Sequence, residues 1–191
     1  MVHYPIRNRT WVNAVAITPV REWNPETWAT TGEACELVAE FAGWDGRLTD
    51  LLAASSTILR SPLLERDPLP RWAAGRIALL GDSAHPMFPF LAQGAGQAFE
   101  DAACLGACLA GVRAADAARA LQRYQALRMT RATEVQRRSR EASDREHLPD
   151  GPQQQLRDAQ LALHDPLEYN NWLYDHDALA HATRGGACPD D

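Results

Sequence analysis

Lysine is absent from this 191-residue chain, and all 19 basic residues are arginine. Arginine spread along the whole sequence, beside abundant alanine, reads as coding bias rather than as a set of guanidinium forks placed for phosphate. No run approaches the ~20 apolar residues of a membrane span, and Met1 to Thr10 holds no hydrophobic stretch resembling a signal peptide. A cytoplasmic protein with no membrane partner is expected. The net charge of −6 lacks the basic field that nucleic-acid binders use, so the expected partners are small molecules. The four cysteines, Cys35, Cys104, Cys108 and Cys188, form no CxxC pair and no Cys/His cluster of zinc spacing. Neither a metal site nor a disulfide framework is expected. Cys104 and Cys108 share one helical face in an Ala-rich segment, which suits buried small residues better than a redox or metal pair. Repeats and low-complexity tracts are also missing. What is present, 46% hydrophobic and 23% charged residues, suffices for one good core or two small ones.

Val2, Tyr4 and Ile6 alternate with other residues, Arg7 to Thr10 turn, and Trp11 to Ile17 alternate again, which predicts a β-hairpin. Thr18 to Gly32, broken by Pro19 and Pro25 and carrying Trp23 and Trp28, reads as a loop. Thr31 is a candidate cap for a helix over 33–41, and a second short helix is expected over 45–54. Thr57 to Leu64 is a strand candidate. Prolines 68 and 70 make 66–72 an irregular connector, which divides the chain into parts 1–70 and 71–191. Arg76 to Leu80, a short apolar run stopped by Gly81-Asp82, reads as a strand buried on both faces of a parallel sheet. Helices follow over 95–109, from Asp116 to about Ser143, and over 156–163. Asn170 to Tyr174 is expected to tuck back onto the body, and 183–191 to fray. Seven arginines lie between Arg123 and Arg145. The spacings Arg131/Glu134 and Arg137/Glu141 favour a solvated, ion-paired face over a phosphate site.

The chemistry concentrates in Gly75 to Ala103, GRIALLGDSAHPMFPFLAQGAGQAFEDAA. A strand that ends in Gly81-Asp82 puts a carboxylate at a strand's carboxyl end, where open α/β sheets bind ligands and where it can accept hydrogen bonds from sugar hydroxyls. Pro86 and Pro89 stiffen the loop. Gly94 and Gly96 then bare the backbone at a helix start, whose free N–H groups favour an anionic or electron-rich group. Together these describe a site for a nucleotide-like cofactor with a ribose-type chain and a ring that carries negative charge.

This run resembles the second flavin-binding motif of the FAD-dependent aromatic hydroxylases, the single-component flavoprotein monooxygenases. It combines a strand, GD, an HP step, a second proline and a Gly-rich helix start at fixed spacing. Weaker likenesses lie at His3-Tyr4-Pro5, in the RDPLPRW connector and at Glu146 to Pro152, the last resembling the salicylate-hydroxylase-like branch. The resemblance implies an α/β fold in fragment form, α+β in character. It would hold a partial substrate-domain sheet, then one strand and the C-terminal helices of a Rossmann-like FAD-binding domain.

The resemblance also implies that Gly81 and Asp82 lie against FAD, with Asp82 on the ribityl or ribose hydroxyls. Gly94, Ala95 and Gly96 would offer N–H groups to the flavin pyrimidine edge, where reduced flavin carries charge. Pro89 would lie beside the isoalloxazine, and Tyr4 either faces the aromatic substrate or packs as an ordinary strand tyrosine. Many relatives have Asn where Gly96 stands and Ala where Ser83 stands, which removes a side-chain contact but keeps the N–H. His85 is expected to fix the loop by hydrogen bonding rather than to act as a base. No catalytic residue is assigned. The implied reaction uses NADH or NADPH, O2 and a small aromatic substrate, hydroxylated through a flavin C4a-hydroperoxide.

The family's GxGxxG turn for the ADP half of FAD is missing, as is its central DG motif. The chain is therefore expected to be the C-terminal half of a hydroxylase, weak in flavin binding and prone to aggregate. The alternatives are a split subunit completed by a separately encoded N-terminal half, a non-catalytic remnant, or another nucleotide-binding protein with the same turn.

Overall fold

A computed structural model describes residues 1–19, 27–163, 165 and 170–184, so Trp23, Pro25 and Cys188 lie outside the described residues. The chain divides into two compact units, Met1–Leu63 and Leu64–Asp191. The division falls before the proline connector, not after residue 70. Residues 65–67 belong with the second unit because Arg140 Nε donates to Glu65 at 2.6 Å and Gln136 Nε2 donates to the Arg66 carbonyl at 2.8 Å.

In the first unit, β1 (Val2–Ile6) and β2 (Trp11–Val15) form the expected antiparallel hairpin, with Val2 opposite Val15 and Ile6 opposite Trp11. Its turn holds three successive non-glycine residues in the left-handed region, Arg7, Asn8 and Arg9 at φ 47°, 55° and 66°. Thr10 ties that turn by donating its hydroxyl to the Arg7 carbonyl at 2.7 Å. A second pair joins β3 (Thr30–Gly32) to β4 (Ile58–Arg60). Thr31 is thus a strand residue opposite Leu59 and not the expected helix cap, so α1 (Ala34–Glu40) starts after Glu33. The strand expected over 57–64 shortens to those three residues of β4. Asp45 caps α2 (Gly46–Ala53) by accepting from the Arg47 N–H at 2.9 Å. Phe41 and Leu52 are the buried centre of this unit, with Trp44 edge-on to Phe41 at 5.1 Å.

The second unit is helical with one small sheet. β5 (Ala73–Ala74) and β6 (Ile77–Ala78) pair antiparallel across a Gly75-Arg76 turn, where Gly75 at φ +56° supplies the conformation a two-residue loop needs. This corrects the expectation of a parallel strand buried on both faces over 76–80. No other strand pairs with β6 among the described residues, and Ile77 and Leu80 are 72% and 40% exposed. An apolar run becomes a buried strand only when neighbours cover both its faces.

Long helices supply what a sheet would otherwise give. α3 (Gly94–Leu109) packs on α4 (Ala117–Glu146), and α5 (Pro152–Leu163), α6 (Asn171–Tyr174) and α7 (Ala178–Arg184) follow. Asp116 stands at the start of α4 without making a cap hydrogen bond, because its carboxylate pairs with Arg113 at 3.2 Å and Arg119 at 3.9 Å. Trp72, Ala84, Cys104, Cys108, Tyr124 and Ala132 form the core, joined by Ala182 of α7. Burial, then Cys108, pushes the Cys104 thiol up to about 12, which suits packing and not redox chemistry. Leu173 of α6 is buried, so this segment does tuck onto the body. No helix among the described residues is long and apolar enough to cross a membrane.

The backbone at both ends of the β5–β6 hairpin is held by α4 side chains. Gln125 Oε1 accepts from the Trp72 and Ala73 N–H groups at 2.6 and 2.8 Å, Gln122 donates to the Ala73 carbonyl at 3.1 Å, and Tyr124 donates to the Leu79 carbonyl at 3.1 Å. Gln125→Ala would leave two donors without an acceptor. It is expected to cost about 1–3 kcal/mol in calorimetric unfolding, and Gln125→Glu, which keeps an acceptor, less.

Candidate functional site

The Gly81-Asp82 turn follows β6 as a short 3-10 turn, Gly81–Ser83, and Ser83 closes it by donating its hydroxyl to the Leu80 carbonyl at 2.7 Å. Gly81 lies at φ +56°, and a Cβ built on it would stand 3.3 Å from the Ala98 Cβ. A side chain there would meet both backbone strain and α3, so glycine lets the turn sit directly on the helix. Asp82 is exposed and has no hydrogen bond or ion pair with the described residues.

A second 3-10 turn, Pro89–Leu91, leads into α3, with Pro89 at its first position and exposed. α4 fixes this loop from below: Gln136 donates to the Pro86 carbonyl at 2.8 Å and Ser139 to the Phe88 carbonyl. Phe90 packs edge-on to Phe88 and to His147, at 5.9 and 5.2 Å. The first turn of α3 has no side-chain cap. Its first i to i−4 bond runs from the Gln97 N–H to the Gln93 carbonyl at 2.8 Å, so the N–H groups of Gly94, Ala95 and Gly96 have no partner among the described residues. A side chain at Gly96 would meet the Gln93 side chain, with Oε1 nearest at 3.1 Å, the end of a flexible chain.

Both halves of the motif rest on one buried ion-pair network. Asp101, fully buried on α3, accepts from the Gly81 N–H at 2.9 Å, from His85 Nε2 at 2.7 Å and from Arg128 Nε at 2.8 Å. Arg128, itself 2% exposed, spends its other nitrogens on Glu100 and on Gln97 Oε1 at 2.8 Å. Glu100 also takes Arg131 Nε and NH2, at 2.8 and 2.9 Å. Arg131 reaches on to the Trp172 and Leu173 carbonyls at 3.1 and 2.8 Å.

Burial raises the Asp101 carboxyl, but hydrogen bonds from His85, Gly81 and Arg128 outweigh it and leave it below the ordinary carboxylate value. Glu100 follows the same balance, with Arg131 the main opposing partner. His85 fixes the loop through Asp101, as its place in the motif suggested.

The arginines of α4 divide. Arg137 forms the expected solvated pair with Glu141, and Arg137 and Arg138 both pair with Glu134 as well. Arg131, expected to pair with Glu134, pairs with Glu100 instead because it faces α3. Arg128, Gln136 and Ser139, the pins of the motif, were not singled out from sequence. They interleave, at steps of three or four residues, with Tyr124, Ala132, Val135 and Ala142, and polar side chains on an apolar stripe are the signal that marks them. Tyr4 stands in β1 of the other unit, opposite Asn13 and about half exposed.

Residues 2–139 match the FAD binding domain family, and the chain belongs to the family of FAD-dependent aromatic hydroxylases. It is 42% identical to a 3-amino-4-hydroxybenzoate 2-monooxygenase of Streptomyces platensis, over 95% of this chain and 46% of that protein. It is 37% identical to a 3-hydroxybenzoate 6-hydroxylase of Aquipseudomonas alcaligenes, over 91% of this chain and 44% of that one. Among solved structures it resembles a salicylate hydroxylase in a substrate complex, with a TM-score of 0.78 and 28% identity over 95% of this chain and 46% of the other. It also resembles HpxO of Klebsiella pneumoniae in complex with FAD and uric acid, with a TM-score of 0.65 and 30% identity over 78% and 38% of the two chains. The chain thus spans less than half the length of the curated relatives it matches.

Arg128→Ala would leave two carboxylates facing a buried void. It is expected to cost about 3–5 kcal/mol in urea unfolding. Because Asp101 and Glu100 hold protons less tightly folded than unfolded, their contribution is present at neutral pH and is lost as pH falls through and below the ordinary values of 3.8 and 4.5. Wild-type stability should therefore drop steeply in acid, and the Arg128→Ala variant should drop less.

Proposed function

We infer that this chain supplies the ribityl and pyrimidine side of an FAD site in an NAD(P)H-dependent monooxygenase that hydroxylates a small aromatic substrate. The observation that carries the reading is the pairing of an exposed, unpartnered Asp82 carboxylate with three unpartnered N–H groups at Gly94, Ala95 and Gly96, in a motif fixed from behind by buried ion pairs. These donors and acceptors match a ligand with hydroxyls on one part and an electron-rich ring edge on another. In this reading Asp82 accepts from ribityl or ribose hydroxyls. Gly81, without a side chain, lets the chain of the ligand approach the backbone, and the start of α3 holds negative charge at the ring edge. Pro89 borders the ring. Tyr4 belongs in this reading to the substrate pocket, and its unit, Met1–Leu63, to a partial substrate domain. Bound FAD supplies hydride acceptance from NADH or NADPH and activation of O2, and the chain's own residues bind, orient and exclude water.

The sequence carries no GxGxxG dinucleotide turn, and the match covers 46% of the Streptomyces platensis relative and of the salicylate hydroxylase, which supports a partner or preceding segment that carries the ADP side. The exposed Ile77 and Phe99, at 72% and 77%, are apolar surface of the kind such a segment would cover.

The test mixes the chain with the part of the Streptomyces platensis relative that it does not match. Flavin should co-elute with the mixture and support NAD(P)H oxidation with a hydroxybenzoate, while the chain alone retains little. Asp82→Ala should cut flavin retention by the mixture at least tenfold. Equal retention by that variant removes Asp82 from the site, and a mixture that stays colourless overturns the FAD reading.

A further inference from the structure

Two adjacent carboxylates on α3 share the same arginine but not the same work. Glu100 contacts Arg128, Arg131 and Gln97 and never touches the motif turn. Asp101 contacts the turn directly, with the Gly81 N–H at 2.9 Å and His85 Nε2 at 2.7 Å both on Oδ2, while Arg128 Nε holds Oδ1 at 2.8 Å. Ala98 lies one helical turn before it on the same face, against the bare Gly81 Cα. The turn therefore sits on a seat made by Ala98 and Asp101, and Asp101 is its only polar anchor to α3 among the described residues.

We propose that Asp101 is a positioning residue for the candidate flavin turn: by fixing the Gly81 N–H it aims the Asp82 carboxylate at the ligand's hydroxyls, and Arg128 and His85 hold its two oxygens in place. The proposal rests on the FAD reading above for what the turn binds, and on geometry alone for how the turn is held. Asp82 has no partner of its own among the described residues, so its position derives from the backbone next to it. That backbone has one hydrogen bond to a buried, charge-locked acceptor, and a carboxylate fixed by a guanidinium on one oxygen cannot swing away from the amide on the other. Glu100 is the internal control. It has the same charge and the same arginine, with no bond to the turn.

The experiment compares Asp101→Asn and Glu100→Gln in the full chain, reading the amide exchange of Gly81 by NMR against core amides of α3 and α4. A second reading takes FAD affinity in the mixture described above. Asp101→Asn should speed Gly81 exchange at least tenfold relative to the core amides and weaken FAD at least tenfold. Glu100→Gln should lower Tm and leave Gly81 exchange at its wild-type value relative to the core amides. Asp101→Glu guards against loss of the fold: it keeps the charge opposite Arg128 but moves the acceptor by one methylene, and should loosen Gly81 with little change in Tm. Unchanged Gly81 exchange in either Asp101 variant overturns the proposal, as does an equal loosening by Glu100→Gln. If the wild-type mixture binds no FAD, the functional reading fails on its own and the exchange comparison still decides whether Asp101 positions the turn.

Discussion

Asp101 has no access to solvent, yet three donors from three parts of the chain converge on it: a backbone amide of the motif turn, an imidazole of the following loop and a guanidinium of α4. A buried carboxylate without such partners would be strongly unfavourable, and a buried guanidinium equally so. Each charge is tolerable only where the other stands. The pair therefore specifies geometry more than it adds stability: it fixes α3 against α4 and allows one seat for the Gly81 turn. Arg128 suits the task because its planar fork reaches Asp101, Glu100 and Gln97 from a single centre, which a lysine ammonium would do with less directional control.

α4 repeats this pattern along its length. Gln122, Tyr124 and Gln125 satisfy backbone groups of Trp72, Ala73 and Leu79, in and beside the β5–β6 hairpin, and Gln136 and Ser139 satisfy the carbonyls of the proline loop. Polar side chains on and beside the buried stripe of one helix thus take over hydrogen bonds that a wide sheet would normally make with its own strands. The motif loop keeps its shape beside a sheet of only two short strands because its acceptors are met by a neighbouring helix.

The parts of this arrangement that depend on near neighbours in sequence were legible there. The alternation Val2, Tyr4, Ile6 predicts the hairpin, Asp45 marks the start of α2, and Gly94 and Gly96 mark the uncapped start of α3. The parts that depend on distant partners were not. Ile77 to Leu80 has the composition of a buried strand, but burial is a property of what lies beside it. Thr31 has the chemistry of a helix cap and was claimed by pairing with Leu59. Arg128 and Arg131 look like their solvated neighbours when residues are counted along the helix, and differ from Arg137 only in the side of α4 they occupy. Of the candidate site, the turn, the loop and the helix start could be read, and the buried charges that hold them could not.

The network also joins residues that stand close together in the sequence. Gly81 and Asp101 are 20 positions apart and Asp101 and Arg128 are 27, whereas the Gln136 bond to Arg66 spans 70. α3 and α4 meet across a short connection, and short separations cost little loop-closure entropy and form early. The candidate turn and the start of α3 are thus held by contacts of smaller loop-closure cost than the bond that ties Gln136 to the proline connector.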